Sequence, residues 1–522
     1  MNAFQPFGLM RLRIPAAMKE SNSLKPSKVS TAICMGPDLV RLVLMMKIAN
    51  LQMSVQYIHC PRCNIIMDDE FRNIASQIAN DIATGRLRPG DRLPPQRAFA
   101  HAQGIAPSTA GRVYAELNRR GLVIGEIGRG TYVRAASSHD RPRLAEPPSF
   151  RIDMETNYPI LPGQHQLMAP ALATLAMRPD ALAAATAASS ARGTSSARAA
   201  AAAGLATKNW RPEPASLLFA ANGRAALAAA FSALVPMGER IGFETQTYPV
   251  ARAIAARLGI VAVPLAMDTD GVQPEAIELA HRAAPLRAIY LQPTIHNPLG
   301  MTMSLERRTK LAALLEQLNG PTVIEDRVYA FLEEAAPPPL AAFVPSRVVV
   351  VDSLSKRIAP GLTLGLLSAP GHLIANIVKA LISGAWTPQG FSLDIGVRWL
   401  SDGTVAALEI AKRADARMRQ SIASEIFAGL TTRANPAAYH LMLDLPATWR
   451  ADAFVLAAER LGIAIAPASA FAVTSGSAPN AVRLALAAPV IEDLVCSLRT
   501  LATLALSNSE STSCHWMYPS GE

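Results

Sequence analysis

The stretch VVVVDSLSKRIAPG, residues 348–361, decides the fold of most of this chain. A short, continuous run of β-branched residues is typical of a strand that is buried on both faces, as in a parallel sheet. The strand ends in small and hydroxyl residues that lead to one lysine, Lys356, and to a Pro-Gly stop. A buried ammonium costs free energy unless it has a chemical task, so Lys356 is a candidate functional residue. The alternative is that Lys356 has no chemical task and that its side chain extends from the strand end to bring the charge to the surface.

The sequence around this strand alternates between helical runs and short apolar runs. The apolar runs are IGFET, VAVPLA, AIYLQ, TVIED and VVVVD, all between residues 241 and 352. This alternation predicts an α/β domain, with a mainly parallel sheet that carries helices on both faces. From about residue 410 the order changes to helix, strand, helix and strand, which predicts a small C-terminal α+β lobe.

The positive charge of the chain is concentrated in one segment. The whole chain carries a net charge of +10, and residues 71–134 hold ten arginines against four acidic residues. An arginine-rich segment of this size is typical of nucleic-acid binding. The apolar spacing in FRNIASQIANDIATG, PQRAFAHAQG and PSTAGRVYAELNRRG predicts three helices, and LVIGEIGRGTYVR predicts a hairpin. This order predicts a winged helix-turn-helix domain.

The 522 residues are too many for one hydrophobic core. The predicted divisions are an unassigned extension over 1–66, a DNA-binding domain over 67–134, a Ser- and Pro-rich linker over 135–150, a large domain over 151–409, the small lobe over 410–506 and a flexible tail over 507–522. Apolar runs are too short for a membrane span and no signal peptide is evident, which predicts a cytoplasmic protein. The HCPRC motif at 59–63 lacks a second pair of ligands, so no metal site is predicted.

The segment LRPGDRLPPQRAFAHAQGIAPSTAGRVYAELNRRGLVIGEIGRGTYVR resembles the DNA-binding domain of the GntR family. The resemblance rests on the PGDRLP turn, on Tyr114 and Leu117, and on the GRGTYV wing. It implies a recognition helix in the major groove of a double-stranded operator. The implied DNA-binding residues are Arg97, Ser108, Thr109, Arg112, Arg129 and Gly130. A basic protein-interaction module is the alternative.

Other motifs accompany Lys356 in a particular order along the chain. ANGRAAL (221–227) opens a helix at Gly223, whose free N–H groups can bind a phosphate. Further residues follow strand ends in TQTYP, HNPLG and IEDRVY: Tyr248, Asn297, Asp326 and Tyr329. Together these motifs resemble the fold-type I, class I aminotransferases over roughly residues 155–500.

This resemblance implies pyridoxal 5′-phosphate as cofactor, with Lys356 as the catalytic residue that forms the internal aldimine. Asp326 would pair with the protonated pyridine nitrogen, and Arg483 would bind the carboxylate of an amino substrate. The implied cofactor-binding residues are Lys356, Asp326, Asn297, Tyr329, Tyr248, Gly223, Arg224 and Ser353.

The GntR-like DNA-binding domain predicted over residues 67–134, the reader, precedes the aminotransferase-like domain. This order of domains resembles the MocR branch of the family. That branch implies a homodimeric, pyridoxal-phosphate-dependent transcription regulator, which would sense a vitamin B6 species or an amino compound. Thr363 stands where the branch carries a phosphate-binding arginine, and Ala188 stands where it carries a tyrosine. The alternatives are a working aminotransferase with a vestigial reader and a degenerate domain that binds no cofactor.

Overall fold

The computed structural model describes residues 67–84, 86–87, 91–120, 122–126, 130–133, 152–318, 320–361, 364–474, 476 and 478–507. No helix within these ranges is long and apolar enough to cross a membrane. Several predictions lie outside these residues: those for the extension over 1–66 with its HCPRC motif, the linker over 135–150, most of the tail, Arg129 and Thr363.

The N-terminal part of the described chain consists of three helices and a small antiparallel sheet. The elements are α1 (Met67–Ala83), β1 (Arg92–Leu93), α2 (Gln96–Gln103), α3 (Pro107–Arg119), β2 (Val123–Glu126) and β3 (Gly130–Val133), with the strands in the order β1-β3-β2. Phe99 of α2 packs edge-on against Tyr114 of α3, with ring centres 5.3 Å apart, and Leu117 is fully buried. Gly104, at a φ of +64°, ends α2 in the left-handed region, which glycine adopts without strain. These elements confirm the predicted winged helix-turn-helix.

The second part of the chain is longer and mixes helices with strands. Its strands are β4 (Ile152–Asp153), β5 (Leu217–Ala220), β6 (Arg240–Glu244), β7 (Val261–Leu265), β8 (Met267–Asp268), β9 (Gly271–Val272), β10 (Leu286–Leu291), β11 (Thr322–Asp326), β12 (Val348–Ser353), β13 (Gly365–Ser368), β14 (Thr432–Ala434), β15 (His440–Asp444), β16 (Ile463–Ala464), β17 (Ala466–Pro467) and β18 (Ala481–Ala485). Its helices are α4 (Gln164–Ala176), α5 (Pro179–Thr186), α6 (Ser195–Leu205), α7 (Gly223–Leu234), α8 (Pro249–Arg257), α9 (Pro274–Ala283), α10 (Leu305–Gln317), α11 (Leu354–Arg357), α12 (Gly371–Ser383), α13 (Gly390–Ser401), α14 (Thr404–Ile426), α15 (Ala451–Arg460) and α16 (Ile491–Leu506).

Seven of these strands form a central sheet in the order β5-β13-β12-β11-β10-β6-β7. Neighbouring strands are parallel, except that β13 is antiparallel to β12 and to β5. Every residue of β12 is buried, and its valines alternate between two cores. Val349 and Val351 pack on the side of α7 and α12, whereas Val348 and Val350 pack on the side of α10. The prediction of a mainly parallel sheet with helices on both faces is therefore confirmed.

A second, antiparallel sheet in the order β14-β15-β18-β17 forms the small C-terminal lobe. Its core includes residues of α15, α16 and the second half of α14. The predicted boundary at residue 410 falls inside α14, which is continuous from Thr404 to Ile426. Leu408 of this helix packs in a core of the large domain and Ala423 packs in the core of the lobe. One helix thus joins the two parts.

Candidate functional site

The carboxyl ends of β11 and β12 open onto a cavity of about 210 Å³. The cavity is lined by all eight of the predicted cofactor-binding residues: Lys356, Asp326, Asn297, Tyr329, Tyr248, Gly223, Arg224 and Ser353. An adjoining cavity of about 120 Å³ shares Lys356 and Arg224 with the first and is also lined by Arg483. The structure therefore brings together residues that are up to 260 positions apart in the sequence.

Lys356 lies on α11, a single helical turn that begins directly after β12. Its Nζ donates a hydrogen bond to the backbone carbonyl of Asn157 and lies 3.7 Å from the centre of the Tyr158 ring. Burial holds the pKa of Lys356 well below its usual value, and the positive charges of Arg224 and Arg483 lower it further. A lowered pKa leaves more of the amine uncharged near neutral pH, and the uncharged amine is the form that attacks a carbonyl carbon.

Asp326 is the last residue of β11 and is only 4% exposed. The hydroxyl of Tyr290 on β10 donates to its Oδ2 at 2.7 Å, and the N–H of Val328 donates to its Oδ1 at 3.1 Å. Burial raises the pKa of Asp326 to about 6, although these two hydrogen bonds act in the opposite direction. A cation inside the cavity would offset the cost of burying this carboxylate.

The first turn of α7 forms one corner of the cavity. A Cβ atom added at Gly223 would lie 3.0 Å from the Cβ of Ser353, so a larger residue would crowd this corner. Arg224 extends beside it, and its Nη2 donates to the hydroxyl of Tyr158 at 3.1 Å. A helix N-terminus next to a guanidinium is an arrangement that suits a phosphate.

Arg357, next to Lys356 in the sequence, does not line this corner of the cavity. Its Nη2 lies 2.6 Å from Oδ2 of Asp352, and its Nη1 pairs with Glu409. These two carboxylates hold the guanidinium of Arg357 in the interior. Arg224, and not Arg357, lines the cavity near Gly223.

The buried polar atoms that have no hydrogen-bond partner among the described residues include Oδ1 of Asn297 and Nε of Arg483, and both residues line the cavities. Arg483 lies on β18 and donates from its Nη2 to the carbonyl of Glu155. Burial lowers the pKa of Arg483. A buried polar atom without a partner is costly, so both atoms mark places where polar groups of a ligand would fit.

The residues predicted to contact DNA lie on the N-terminal domain. Ser108 and Thr109 are in the first turn of α3, Arg112 is one turn later, and the exposed Arg97 is in the first turn of α2. The guanidinium of Arg112 lies 4.2 Å from the centre of the Phe71 ring, as in a cation–π contact.

Gly130, the remaining described member of this predicted set, begins β3 with a φ of +119°. A Cβ there would lie 2.8 Å from Nε of Arg92, so this position favours glycine.

Comparison with known sequences decides the family. The profile described as aminotransferase class I and II matches residues 156–495, and the one described as bacterial regulatory proteins, gntR family, matches residues 71–133. The uncharacterized HTH-type transcriptional regulator YdeF of Bacillus subtilis is 30% identical over 438 residues, which are 83% of this chain and 94% of YdeF. The chain belongs to the aminotransferase class I and II family, with a GntR-type DNA-binding domain ahead of it. The predicted MocR-type architecture is confirmed.

Another relative of this aminotransferase-family chain is also named a transcriptional regulator, and two solved structures share its fold. The HTH-type transcriptional regulator TauR of Rhodobacter capsulatus is 25% identical over 404 residues, 67% of this chain and 78% of TauR. An archaeal alanine:glyoxylate aminotransferase superposes with a TM-score of 0.62 at 21% identity, over 79% of this chain and 96% of that one. LysN of Thermus thermophilus, solved with N-(5′-phosphopyridoxyl)-L-leucine, superposes with a TM-score of 0.61 at 19% identity, over 68% and 92%.

The pocket of this aminotransferase-family domain fits pyridoxal 5′-phosphate, the cofactor of the family. The Asp326 carboxylate suits a protonated pyridine nitrogen, the open corner at Gly223 and Arg224 suits a phosphate, and the amine of Lys356 suits an aldehyde. The unpartnered Oδ1 of Asn297 is available to a hydroxyl on the ring. Pyridoxal 5′-phosphate is therefore the cofactor for which the residues of this site are suited.

Among the residues that contact the predicted site residues and were not selected from the sequence are Asn157, Tyr158 and Tyr290. Asn157 and Tyr158 lie in METNYP, just after β4. The only sequence signal for them is that a polar residue and an aromatic residue follow a short strand. Tyr290 lies in the apolar run of β10 and is fully buried. A tyrosine hydroxyl in a buried strand needs a hydrogen-bond partner, and this need is the signal that could have indicated the residue. Ala188, by contrast, is exposed just after α5 and lines neither cavity.

Proposed function

We propose that this protein is a DNA-binding transcription regulator that senses a vitamin B6 species or an amino compound through covalent chemistry at Lys356. The observation that carries the proposal is the convergence of Lys356, Asp326 and Gly223 on one cavity, in a chain that also contains a winged helix-turn-helix. Relatives aligned over 94% and 78% of their own lengths are named transcriptional regulators. This similarity over most of both chains favours a regulator over a working aminotransferase with a vestigial reader.

Each of the eight predicted cofactor-binding residues has a role in this proposal. The cofactor supplies an aldehyde and an electron-withdrawing ring. Lys356 would hold the aldehyde carbon through Nζ, Asp326 would accept a hydrogen bond from the ring N–H, and Arg224 would bind the phosphate. Asn297 and Tyr329 would bind the ring hydroxyl, and Tyr248 would lie against the ring, with Gly223 and Ser353 at the phosphate.

The adjoining cavity supplies the place for an effector. Arg483 presents a buried guanidinium there, and a planar fork suits the carboxylate of an amino compound. An effector amine that replaced Lys356 would leave the lysine free to change its contacts with Asn157 and Tyr158. That change in contacts is the signal that we propose for the regulator.

The reader would dock on a double-stranded operator with the N-terminal turn of α3 in the major groove. Ser108, Thr109 and Arg112 would face the base edges, while Arg97 would contact the phosphate backbone. Arg129 and Gly130 would contact the backbone or the neighbouring minor groove. A protein with this role would act in the cytoplasm, where the DNA of a bacterium lies.

We also propose a homodimer, which would present two readers to two half-sites. Large apolar side chains are exposed within a short stretch of α4, α5 and their connection: Leu167 (48%), Met177 (82%) and Leu182 (38%). A second copy of the chain would bury them.

Light scattering should report a dimer, and Leu167→Asp with Met177→Asp should shift it toward monomer. Met237→Asp, at an exposed methionine between α7 and β6, should leave the dimer intact.

The regulator proposal is tested with the full-length protein and DNA. A duplex is selected from a random library, and its affinity is measured by fluorescence anisotropy at one fixed salt concentration, with and without pyridoxal 5′-phosphate and added amino acids. We expect at least one ligand to change the affinity by about fivefold or more, the usual size of an allosteric coupling. The change should be absent in Lys356→Ala and present in Lys379→Ala, an exposed lysine on α12.

The same preparation separates the regulator from its rival. Transaminase turnover together with one operator affinity in every ligand state would support the aminotransferase and contradict the regulator. A protein that binds no duplex above its affinity for random DNA would contradict the regulator as well.

A further inference from the structure

A second lysine lies directly behind the reactive turn. Lys412 is on α14 and is fully buried. Its Nζ donates hydrogen bonds to the backbone carbonyl of Lys356 at 3.0 Å and to that of Ile358 at 2.6 Å. Burying a lysine amine against two neutral carbonyls costs free energy that an apolar side chain at the same position would not cost. The position therefore calls for a role beyond packing.

We propose that Lys412 is a positioning residue, which holds the carbonyls on both sides of the reactive turn and so keeps the Nζ of Lys356 against Asn157 and Tyr158. The proposal builds on the function proposed for Lys356. It adds a residue outside the cavity, since Lys412 lines neither of the two cavities described above. Lys412 would act on Lys356 in two ways, through hydrogen bonds to the backbone of the turn and through its own positive charge. It would not touch the cofactor or the effector.

The rest of α14 explains why this helix suits such a role. Glu409, one turn earlier, pairs with Arg357 of the reactive turn, so two successive turns of α14 hold α11. The hydroxyl of Tyr439 donates to the carbonyl of Lys412 at 2.9 Å. Further along, Gln420 donates to the carbonyls of Ala438 and His440, at 2.7 and 3.0 Å. The helix thus binds the reactive turn at one end and the small lobe, which carries Arg483, at the other.

Electrostatics adds a second consequence of the same geometry. The charged groups that act on Lys356 are Arg224, Arg483, Lys412 and Asp326, and the three cations all lower the pKa of its amine. Burial lowers the pKa of Lys412 itself to about 7, against the opposing effect of Asp415 and Glu409. Removing the charge of Lys412 should therefore raise the pKa of Lys356 and reduce the uncharged fraction of its amine at neutral pH.

The test measures Lys356 directly, in the full-length protein without cofactor. The rate of acylation of Lys356 by acetic anhydride is followed against pH by peptide mass spectrometry. In Lys412→Met the midpoint of this profile should rise by on the order of one pH unit, the effect of losing a nearby like charge. Lys412→Arg keeps a cation and its donors and should return the midpoint toward that of the wild type. Lys379→Met, the matched change at an exposed lysine, should not move it.

A folded Lys412→Met protein with an unchanged acylation midpoint would overturn the proposal, because neither the hydrogen bonds nor the charge of Lys412 would then act on the amine of Lys356. If Lys412→Met does not fold, Lys412→Gln removes the charge and keeps a donor, and the same rise is expected. The readout is independent of the function proposed above. A wild-type protein that takes no pyridoxal 5′-phosphate would contradict that function, while the acylation profile would still decide the role of Lys412.

Discussion

The reader and the aminotransferase-family domain place their cations in opposite environments. Arg97 and Arg112 of the reader are exposed, whereas Lys412 is fully buried and Arg483 is 5% exposed. Exposed cations bind a polyanion through many weak, salt-dependent contacts. Buried cations act one at a time, with pKa values shifted by burial and by their neighbours. Single substitutions should therefore have large effects in the pocket and graded effects in the reader.

Lys356→Ala should give the largest effect and would sharpen this contrast most. Without the amine, the protein cannot hold the cofactor covalently, so the visible absorption band that wild-type protein gains on mixing with pyridoxal 5′-phosphate should be absent. Affinity for a selected duplex in the absence of ligand should stay within about twofold, because the reader keeps its own core. A band of normal intensity in Lys356→Ala would place the covalent chemistry on another lysine.

Asp326→Asn tests the buried carboxylate through its pH dependence. Burial raises the pKa of Asp326 to about 6 from 3.8, so between these pH values the cofactor-free chain binds this proton more tightly when it is folded than when it is unfolded. This contribution to stability is complete below about pH 4 and is lost as the pH rises through about 6, a change of about 3 kcal/mol. Between these values the free energy of unfolding of the wild type should fall relative to that of Asp326→Asn.

Bound cofactor should remove this difference in pH dependence between the wild type and Asp326→Asn. A protonated ring nitrogen beside Asp326 stabilises the carboxylate, so the loaded wild type should lose the decline that the cofactor-free protein shows. Asp493→Asn, at an exposed residue in the first turn of α16, is the matched control and should run parallel to the wild type. Parallel curves for Asp326→Asn and wild type without cofactor would show that burial does not destabilise this carboxylate.

The two regions also differ in what their sequences reveal. The reader could be recognised from net charge and helical spacing, because its arginines crowd 64 residues and its helices have clear apolar faces. The sheet could be predicted from runs such as VVVVD, since strands buried on both faces are continuously apolar. β13 was not among the predicted strands, because the antiparallel GLLS run has only four residues.

The pocket was predictable where a residue follows a strand of the central sheet, and Asn157, which follows the short β4 outside that sheet, was missed. Asp326 and Lys356 stand at strand ends, where parallel topology brings side chains to one edge of the sheet. Asn157 and Lys412 come from segments that reach the site only through tertiary packing, at 199 and 56 residues from Lys356. Helical periodicity placed Lys412 on a helix but could not indicate which element it would face.

Arg224→Ala tests which cation binds the phosphate, and its expected effect is smaller than that of Asp326→Asn. A charge-assisted hydrogen bond contributes about 1.5 to 3 kcal/mol, so affinity for pyridoxal 5′-phosphate should fall by roughly ten- to a hundredfold. Affinity for unphosphorylated pyridoxal should change little. Arg257→Ala, an exposed arginine at the end of α8, should affect neither ligand. Equal weakening of both ligands would instead assign Arg224 to the ring, through its contact with Tyr158.

Arg112→Ala and Arg97→Ala should give the smallest effects and would divide the reader itself. The guanidinium of Arg112 lies over the Phe71 ring near the start of α3, the helix proposed to enter the major groove, so we expect its loss to cost about 1 to 2 kcal/mol on the selected duplex and less on random DNA. Arg97 would contact phosphate, so its loss should weaken all duplexes alike and reduce the salt dependence by about one ion. Arg86→Ala, whose guanidinium pairs with Asp81 at 2.7 Å, is the matched control. If Arg112→Ala weakens binding to selected and random duplexes equally, Arg112 contacts the DNA backbone and not the base edges. The sequence specificity of the reader would then come from Ser108, Thr109 or the shape of the DNA.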